Sequence, residues 1–479
     1  MHQDRLMNLE AQVKTDLAKI AHPRAPWLAP RTGPDNTPAF DVIIIGAGQS
    51  GLATAFGLMR SQVTNILVLD KAKAGHEGPW RTYARMETLR SPKDFTGPDL
   101  DVPSLTYQSW HEARFGQADW QKLTLIPKGH WADYLDWFRH VVDIPVRNET
   151  AVVDIAPADG CLAVTVLRDG KHDVLYARKV VLATGQEGMG DWAMPEPFAS
   201  LPVECCAQAA AEIDFSALRG KVVAVVGAGA SAFDNAATAL EAGAAQVHLS
   251  CRRREAQVIQ PYRWLTFCGF LRHMGDLDDA WRWRFMSKIL DMREGFPQAT
   301  YDRCAAHANF HLGLGQPVLA ANAEGAQVAL TTPGGKIMAD YTIVATGIDM
   351  DFGRRSELQR CANNIATWTD RYTPPAHERS ERLGRFPYLD ADYALMERDA
   401  GVTPWVSNIH LFSIASTMSF GASGSSINAM TTAVPKLVAG VTRGLFKADL
   451  VQHWQALVDY NVPQAVLHTM PAASDKSHA

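Results

Sequence analysis

Short apolar runs and segments with a 3.6-residue apolar period alternate along this chain, and the alternation predicts an α/β protein. Residues 40–45 read as a buried strand, 50–60 as a helix and 65–70 as a second strand. Residues 131–142 form another helix, 150–178 a small antiparallel excursion, and 179–182 a strand ending in Ala183-Thr184-Gly185. The signals then start again. Residues 222–226 predict a strand, 231–242 a helix, 246–250 a strand, and 341–344 a strand ending in Ala345-Thr346-Gly347. A late strand at 409–413 and a helix at 434–446 follow. Residues 76–130 are irregular and rich in Pro, Gly and aromatics, as suits loops built around a ligand. Residues 255–315 predict helices over a cleft, and 351–405 are loop-rich. At the start, Leu6, Leu9, Val13, Leu17 and Ile20 recur at helical spacing across 4–21. That helix is expected to dock on the main body or on a second subunit. Pro23, Pro26, Pro30, Pro34 and Pro38 then make a stiff connector.

The two α/β units match each other at their turns. The first reads Gly46-Ala47-Gly48-Gln49-Ser50-Gly51, the second Gly227-Ala228-Gly229-Ala230-Ser231-Ala232. Both fit G-x-G-x-x-G/A, and each follows an apolar strand and opens a helix, the context that gives this pattern meaning. The first Gly permits the tight turn, the second lets backbone approach a pyrophosphate, and the third position stays small so that helix and strand can pack. The helix start then offers free N–H groups and partial positive charge to phosphate.

The copies diverge where an adenine ribose would sit. Asp70 falls 24 residues after Gly46, and its carboxylate can accept from both ribose hydroxyls, as FAD and NAD require. At the same spacing the second unit has Cys251, followed by Arg252, Arg253 and Arg254. Cations without a carboxylate suit a ribose bearing a 2′-phosphate. Site one is therefore assigned to FAD and site two to NADPH. The two Ala-Thr-Gly turns, with Thr184, Gly185, Thr346 and Gly347, mark crossings between domains. The expected organisation is an N-terminal helix and connector (1–39), a first part of the FAD domain (40–204), an inserted NADPH domain (205–340), and the rest of the FAD domain with a C-terminal tail (341–479).

Composition narrows the class. A net charge of -5 argues against a nucleic-acid partner. No apolar run approaches the ~20 residues of a membrane span, and there is no signal-peptide pattern, so the expectation is a cytoplasmic protein. The seven Cys include no C-x-x-C, which fits reduced thiols and excludes a dithiol flavoprotein reductase mechanism. Adjacent Cys205 and Cys206 read as small buried residues. His307 and His311 share a helical spacing but lack the Glu of H-E-x-x-H, so no metal site is expected. Trp residues cluster at 110–137 and 264–283, where they are expected to line a core or a pocket.

With these motifs in place, the chain resembles the class B flavin-dependent monooxygenases over about residues 40–446. Glu77-Gly78-Pro79-Trp80-Arg81 is similar to the family's G-G-x-W segment, which makes Trp80 and Arg81 flavin neighbours. Leu89-Arg90-Ser91-Pro92-Lys93 is similar to the N-x-P-K loop, with Arg90 where many members have Asn; Arg90 and Lys93 become candidates for steering the reactive oxygen. Phe420-Gly421-Ala422-Ser423-Gly424-Ser425 resembles the closing loop near the flavin. The Baeyer–Villiger fingerprint is absent from 198–205. The resemblance implies that NADPH reduces FAD, that reduced FAD and O₂ form a C4a-(hydro)peroxide, and that a small organic substrate, aromatic or otherwise planar, is oxygenated at N, S or a ring carbon. The alternative is an NADPH-dependent flavin oxidoreductase without oxygen insertion. The N-terminal helix also makes a homodimer contact an open expectation.

Overall fold

Val42, Ile43 and Ile44 are fully buried because the strand that carries them, β1 (Pro38–Ile45), lies inside a sheet covered on both faces. The computed structural model describes residues 2–20, 24–95, 97–188, 190–424 and 426–468. Pro23 of the connector, Ser425 of the late loop and the tail beyond 468 lie outside the described residues. The first sheet contains β1, β2 (Ile66–Leu69), β3 (Val146–Arg147), β4 (Ala151–Ala158), β5 (Cys161–Arg168) and β6 (Lys171–Leu182). Its main order is β3-β2-β1-β6-β5-β4, parallel from β3 to β6 and antiparallel from β6 to β4. Strand Ile409–Leu411 adds to β6 in parallel.

A second, fully parallel sheet is formed by β7 (Cys206–Gln208), β8 (Val222–Val226), β9 (Gln246–Ser250), β10 (Phe310–Gly313) and β11 (Tyr341–Val344), in the order β10-β9-β8-β11-β7. Strand period two splits β8 between two cores. Val223 and Val225 face one apolar cluster; Ala224 and Val226 face another, shared with Val328 and Leu330 of a three-stranded antiparallel layer at 320–339. The chain passes between the sheets twice, and the two passages pair with each other: Gly190–Trp192 lies antiparallel to Ile348–Met350. Thr346 Oγ1 donates to the Ala193 carbonyl at 2.9 Å beside that pair.

Helix α1 (His2–Lys19) docks on the main body, against α3 (Tyr107–Phe115), with Val13 fully buried; α2 (Gln49–Arg60) follows β1. The stretch 76–130 is more ordered than its composition predicts. It holds α3, a short helix Gln117–Lys122 and the start of α4 (Lys128–Val141), which begins three residues ahead of the sequence reading, right after Pro127. Its aromatics are the reason. Tyr107, Trp110, Trp120, Trp131 and Tyr134 pack on one another with ring centroids 5.1–6.1 Å apart, so these Trp residues fill a core. The late elements are α5 (Ala230–Glu241), α6 (Met430–Ala448) and α7 (Leu450–Val458); the last has no counterpart in the sequence reading.

His410, on strand Ile409–Leu411, is 2% exposed; its Nδ1 lies 2.8 Å from the Asp392 carbonyl, and Nε2 has no partner. Burial, with Lys179 nearby, pushes its pKa down to about 4. The folded state thus holds a neutral imidazole while the unfolded state takes up a proton from about pH 6.5 downward. This contribution is complete above that pH and is lost as pH falls toward 4. Denaturant titrations should show about 2 kcal/mol less stability at pH 5 than at pH 7 from this group, and His410→Gln should lack that increment. An unchanged pH dependence in the variant removes the assignment.

Candidate active site

Both glycine turns are built the same way, down to their neighbours. Gly46 N donates to Leu69 O at 2.8 Å, and Gly227 N to Ser250 O at 2.9 Å. Gly46 has φ +106° and Gly227 φ +128°, which favour glycine. A Cβ on Gly46 would sit 2.4 Å from the Ala183 carbonyl oxygen; one on Gly227 would sit 2.5 Å from that of Ala345. The Ala-Thr-Gly segments therefore do more than cross between sheets: each abuts the first glycine of a fingerprint. No local sequence signal announces that contact.

The second glycines behave differently. A Cβ on Gly48 would meet only Gly78, at 3.8 Å or beyond, and one on Gly229 would meet nothing within 4 Å. The fold itself does not require glycine at these two positions. They are the N-caps of α2 and α5, and neither helix start has a side-chain cap for its first N–H groups. This geometry fits a pyrophosphate at each turn.

Asp70 follows β2. Its carboxylate accepts from Ala47 N at 2.7 Å and Ala72 N at 2.8 Å, one bond to each oxygen. Each oxygen keeps a lone pair for a further donor. Burial holds its pKa above the usual carboxylate value despite those two bonds. Beside it a narrow cleft is lined by Ala47, Glu77, Trp80, Arg81, Asp136 and Arg139. Trp80 is 8% exposed and its Nε1 is buried without a partner. Its ring meets Trp131 edge-on at 6.4 Å, and Trp131 Nε1 donates to Gln49 Oε1 at 3.1 Å, inside the fingerprint. Trp131 and Gln49 were missed in the sequence because 82 positions separate them. Ser50 Oγ donates to the Gly424 carbonyl at 2.6 Å, so it ties the first turn to the late glycine-serine loop. Arg81 is held by Asp133, Asp136 and the Gly75 carbonyl at 2.5–2.7 Å.

At the second site, Ser231 is exposed at the start of α5. Beyond β9, Arg253 Nη2 donates to the Asp291 carbonyl at 2.9 Å. This brings in two arginines that sequence spacing could not supply, Arg293 and Arg382. Loss of water and the charges of Arg382, Arg253 and Arg252 push the pKa of Arg293 down to about 10. Among the described residues, only Asp291 pairs with any of these four guanidiniums, through Arg382 at 3.3 Å. Four guanidiniums against one carboxylate leave an excess of positive charge, which fits a phosphate dianion.

Arg90 and Lys93 are engaged within the protein. Arg90 reaches Asp234 of α5 at 2.8 Å and Glu294 at 3.2 Å. Asp234, 3% exposed, also accepts from Thr300 at 3.1 Å. Arg85, on the same loop, donates to the Ala211 carbonyl at 3.0 Å and lies over the Phe215 ring. The loop thus straps the first unit to the second. Lys93 Nζ donates to the Trp120 carbonyl at 2.7 Å and lies over that ring at 4.4 Å. Trp264 and Phe267 are exposed, and Asn428 Oδ1 is buried and unpartnered near Thr266.

All seven cysteines are unpaired, and burial pushes Cys206 up to about 12. Among the described residues no three His, Cys, Asp or Glu converge to hold a metal. No helix among them is long and apolar enough to cross a membrane.

Residues 43–267 match the family described as pyridine nucleotide-disulphide oxidoreductase. Over 462 residues the chain is 38% identical to the FAD-dependent urate hydroxylase of Xanthomonas campestris pv. campestris, covering 96% of this chain and 97% of that protein. Among solved structures it is similar to the ornithine hydroxylase of Pseudomonas aeruginosa (TM-score 0.66, 17% identity, 85% of this chain and 100% of that one). It is also similar to the ornithine N-hydroxylase of Kutzneria sp. 744 (0.65, 17%, 85% and 99%) and the L-lysine 6-monooxygenase of Pseudomonas syringae (0.63, 19%, 85% and 99%). At these identities the structures show the fold.

Proposed function

From the premise that this chain belongs to the family of FAD-dependent hydroxylases that includes the Xanthomonas urate hydroxylase, we propose that it uses NADPH and O₂ to hydroxylate urate or a closely similar oxidised purine. It is a flavin-dependent monooxygenase; the pyridine nucleotide and the purine are the proposed parts. One observation carries the cofactor assignment: both turns leave open space at their second glycine, yet only the second is followed by four clustered arginines.

Bound FAD and NADPH supply the redox chemistry, hydride and the activation of O₂. The chain supplies grip, alignment and a dry site. Gly46, Gly48 and Gly51 shape the first cradle, and Asp70 offers its free lone pairs to the ribose hydroxyls. Trp80, whose buried Nε1 has no partner, would line the flavin's side of the site and could donate to it. Gly227 and Gly229 shape the second cradle, and Arg252, Arg253, Arg293 and Arg382 would hold the 2′-phosphate. The Arg90–Asp234 pair fixes one dinucleotide unit against the other, so that the two cofactors keep one mutual orientation. Exposed aromatics of 264–267 suit a planar heterocycle. The N-terminal helix packs on the main body through Val13.

Under anaerobic conditions NADPH should bleach the flavin. With air and urate, consumption of NADPH, O₂ and urate should run one to one to one. Full uncoupling to hydrogen peroxide with urate intact would remove the hydroxylase reading. Removing one charge-assisted contact to the phosphate costs about 1.5–3 kcal/mol. Arg252→Ala and Arg253→Ala should therefore raise KM for NADPH roughly 10- to 100-fold. KM for NADH should stay within about twofold. Equal changes for both nucleotides would refute the phosphate site.

A further inference from the structure

Helix α7 presents its apolar side to solvent. Leu450, Val451, Trp454, Leu457 and Val458 recur at helical spacing and form one stripe, yet they are 53%, 81%, 65%, 65% and 58% exposed. No residue of the helix is buried. A helix periodic enough to have an apolar face normally buries that face. With Phe446, Tyr460, Val462, Val466 and Leu467, the exposed apolar surface is on the order of 1,000 Å², more than a monomer ordinarily shows in one patch.

Next to it lies a complementary feature. An open groove of about 360 Å³ is lined mainly by apolar side chains, Leu17 and Ile20 of the first helix, Phe56 and Met59 of α2 and Val142 after α4, together with Arg24 and Arg60. Trp27 bridges the two surfaces. Its Nε1 donates to the Ser61 carbonyl at 2.9 Å, at the groove's edge, and its ring lies 6.3 Å from His453 of α7. Apolar stripe and apolar groove are therefore neighbours on one face.

We propose that this face is the interface of a twofold homodimer, in which α7 of each copy lies in the groove of the other. A twofold axis requires a surface that complements itself, and a stripe beside a groove meets that requirement with both contacts satisfied at once. The exposed apolar area matches the roughly 800 Å² per partner of a stable interface. The chain offers no occupant of its own. Residues 21–23 (Ala-His-Pro) bring no large apolar side chain, and 469–479 brings one, Met470. A lipid surface fits poorly, because residues 449–460 contain two Asp and no Lys or Arg, and interfacial helices carry basic residues on the polar side.

The experiment measures mass in solution by light scattering after gel filtration, with the flavin-loaded full chain at micromolar concentration. The wild type should run at twice the 52.5 kDa of one chain. Trp454→Glu with Leu457→Glu should run as a monomer with unchanged flavin content, since those side chains support nothing within their own subunit. Met59→Glu, in the groove, should do the same. A monomeric wild type overturns the proposal. So does a dimer that survives the α7 substitutions, or one that they break while Met59→Glu leaves it whole. Flotation of a monomeric wild type with phosphatidylserine vesicles would give the face to lipid instead.

Discussion

Gly48→Ala is expected to fold as the wild type does and to lose its flavin. A methyl group there meets only Gly78, at ordinary contact distance, so nothing in the polypeptide resists it. It would occupy the space that the pyrophosphate needs. Overpacking costs about 1–3 kcal/mol, so affinity for FAD should fall roughly 10- to 100-fold. The measurements are flavin absorbance per chain after desalting, and thermal unfolding of the apoprotein. Gly51→Ala is the contrast. Its Cβ would lie 1.8 Å from the Gly46 carbonyl oxygen, so α2 must shift away from β1. That variant should lose both flavin and apoprotein stability. The second unit carries Ala232 at the matching position, so this constraint is particular to the first turn. If Gly48→Ala keeps its flavin through dilution, the first turn is not the pyrophosphate site.

Arg178→Met is expected to destabilise the protein by about 3–5 kcal/mol, because it strands buried charge. Arg178 is 7% exposed, and its guanidinium reaches Asp41 of β1 at 3.2 Å and Asp449 at 2.8 Å; Arg31 meets Asp449 at 2.5 Å. One side chain on β6 thus joins the centre of the first sheet to the junction of α6 and α7. Burial acts to raise the Asp449 pKa, and the hydrogen bonds and charges of Arg31 and Arg178 more than reverse it, so it stays below the ordinary value. Asp449 contributes stability above the unfolded carboxyl's pKa of about 3.9, and the contribution fades as pH falls through the lower folded value. Asp41 has the opposite sign, since burial raises it. The substitution removes the cation from between two carboxylates. Urea unfolding at pH 7 should show a lower midpoint with the slope unchanged. A loss under 1 kcal/mol would mean that water reaches the site and screens it. Arg178→Lys should recover part of the loss, because it keeps the charge but not the fork of donors.

What the sequence determined by itself was local. Each fingerprint occupies six consecutive residues between an apolar strand and a helix, and backbone sterics at that spacing leave little choice of conformation. The two turns, their flanking strands and the contrast between Asp70 and Cys251 with its arginines were legible for that reason. The class B monooxygenase fold and a flavin-dependent oxygenation followed from the same short segments. The apolar period of 450–458 was equally local; it went unread, although the helix is there. Tertiary structure decided what depends on residues far apart. Arg293 and Arg382 join Arg252 and Arg253 only because the C-terminal end of helix Asp279–Met292 and the short helix Glu381–Gly384 come together beyond the end of β9. Arg90 stands in a loop similar to one that faces the flavin, yet its charge is spent on Asp234, 144 positions away. The stretch 76–130 reads as loops because its helices are short and aromatic, and aromatic side chains lower helix propensity. They form because those rings bury one another, an energy that no window of sequence contains.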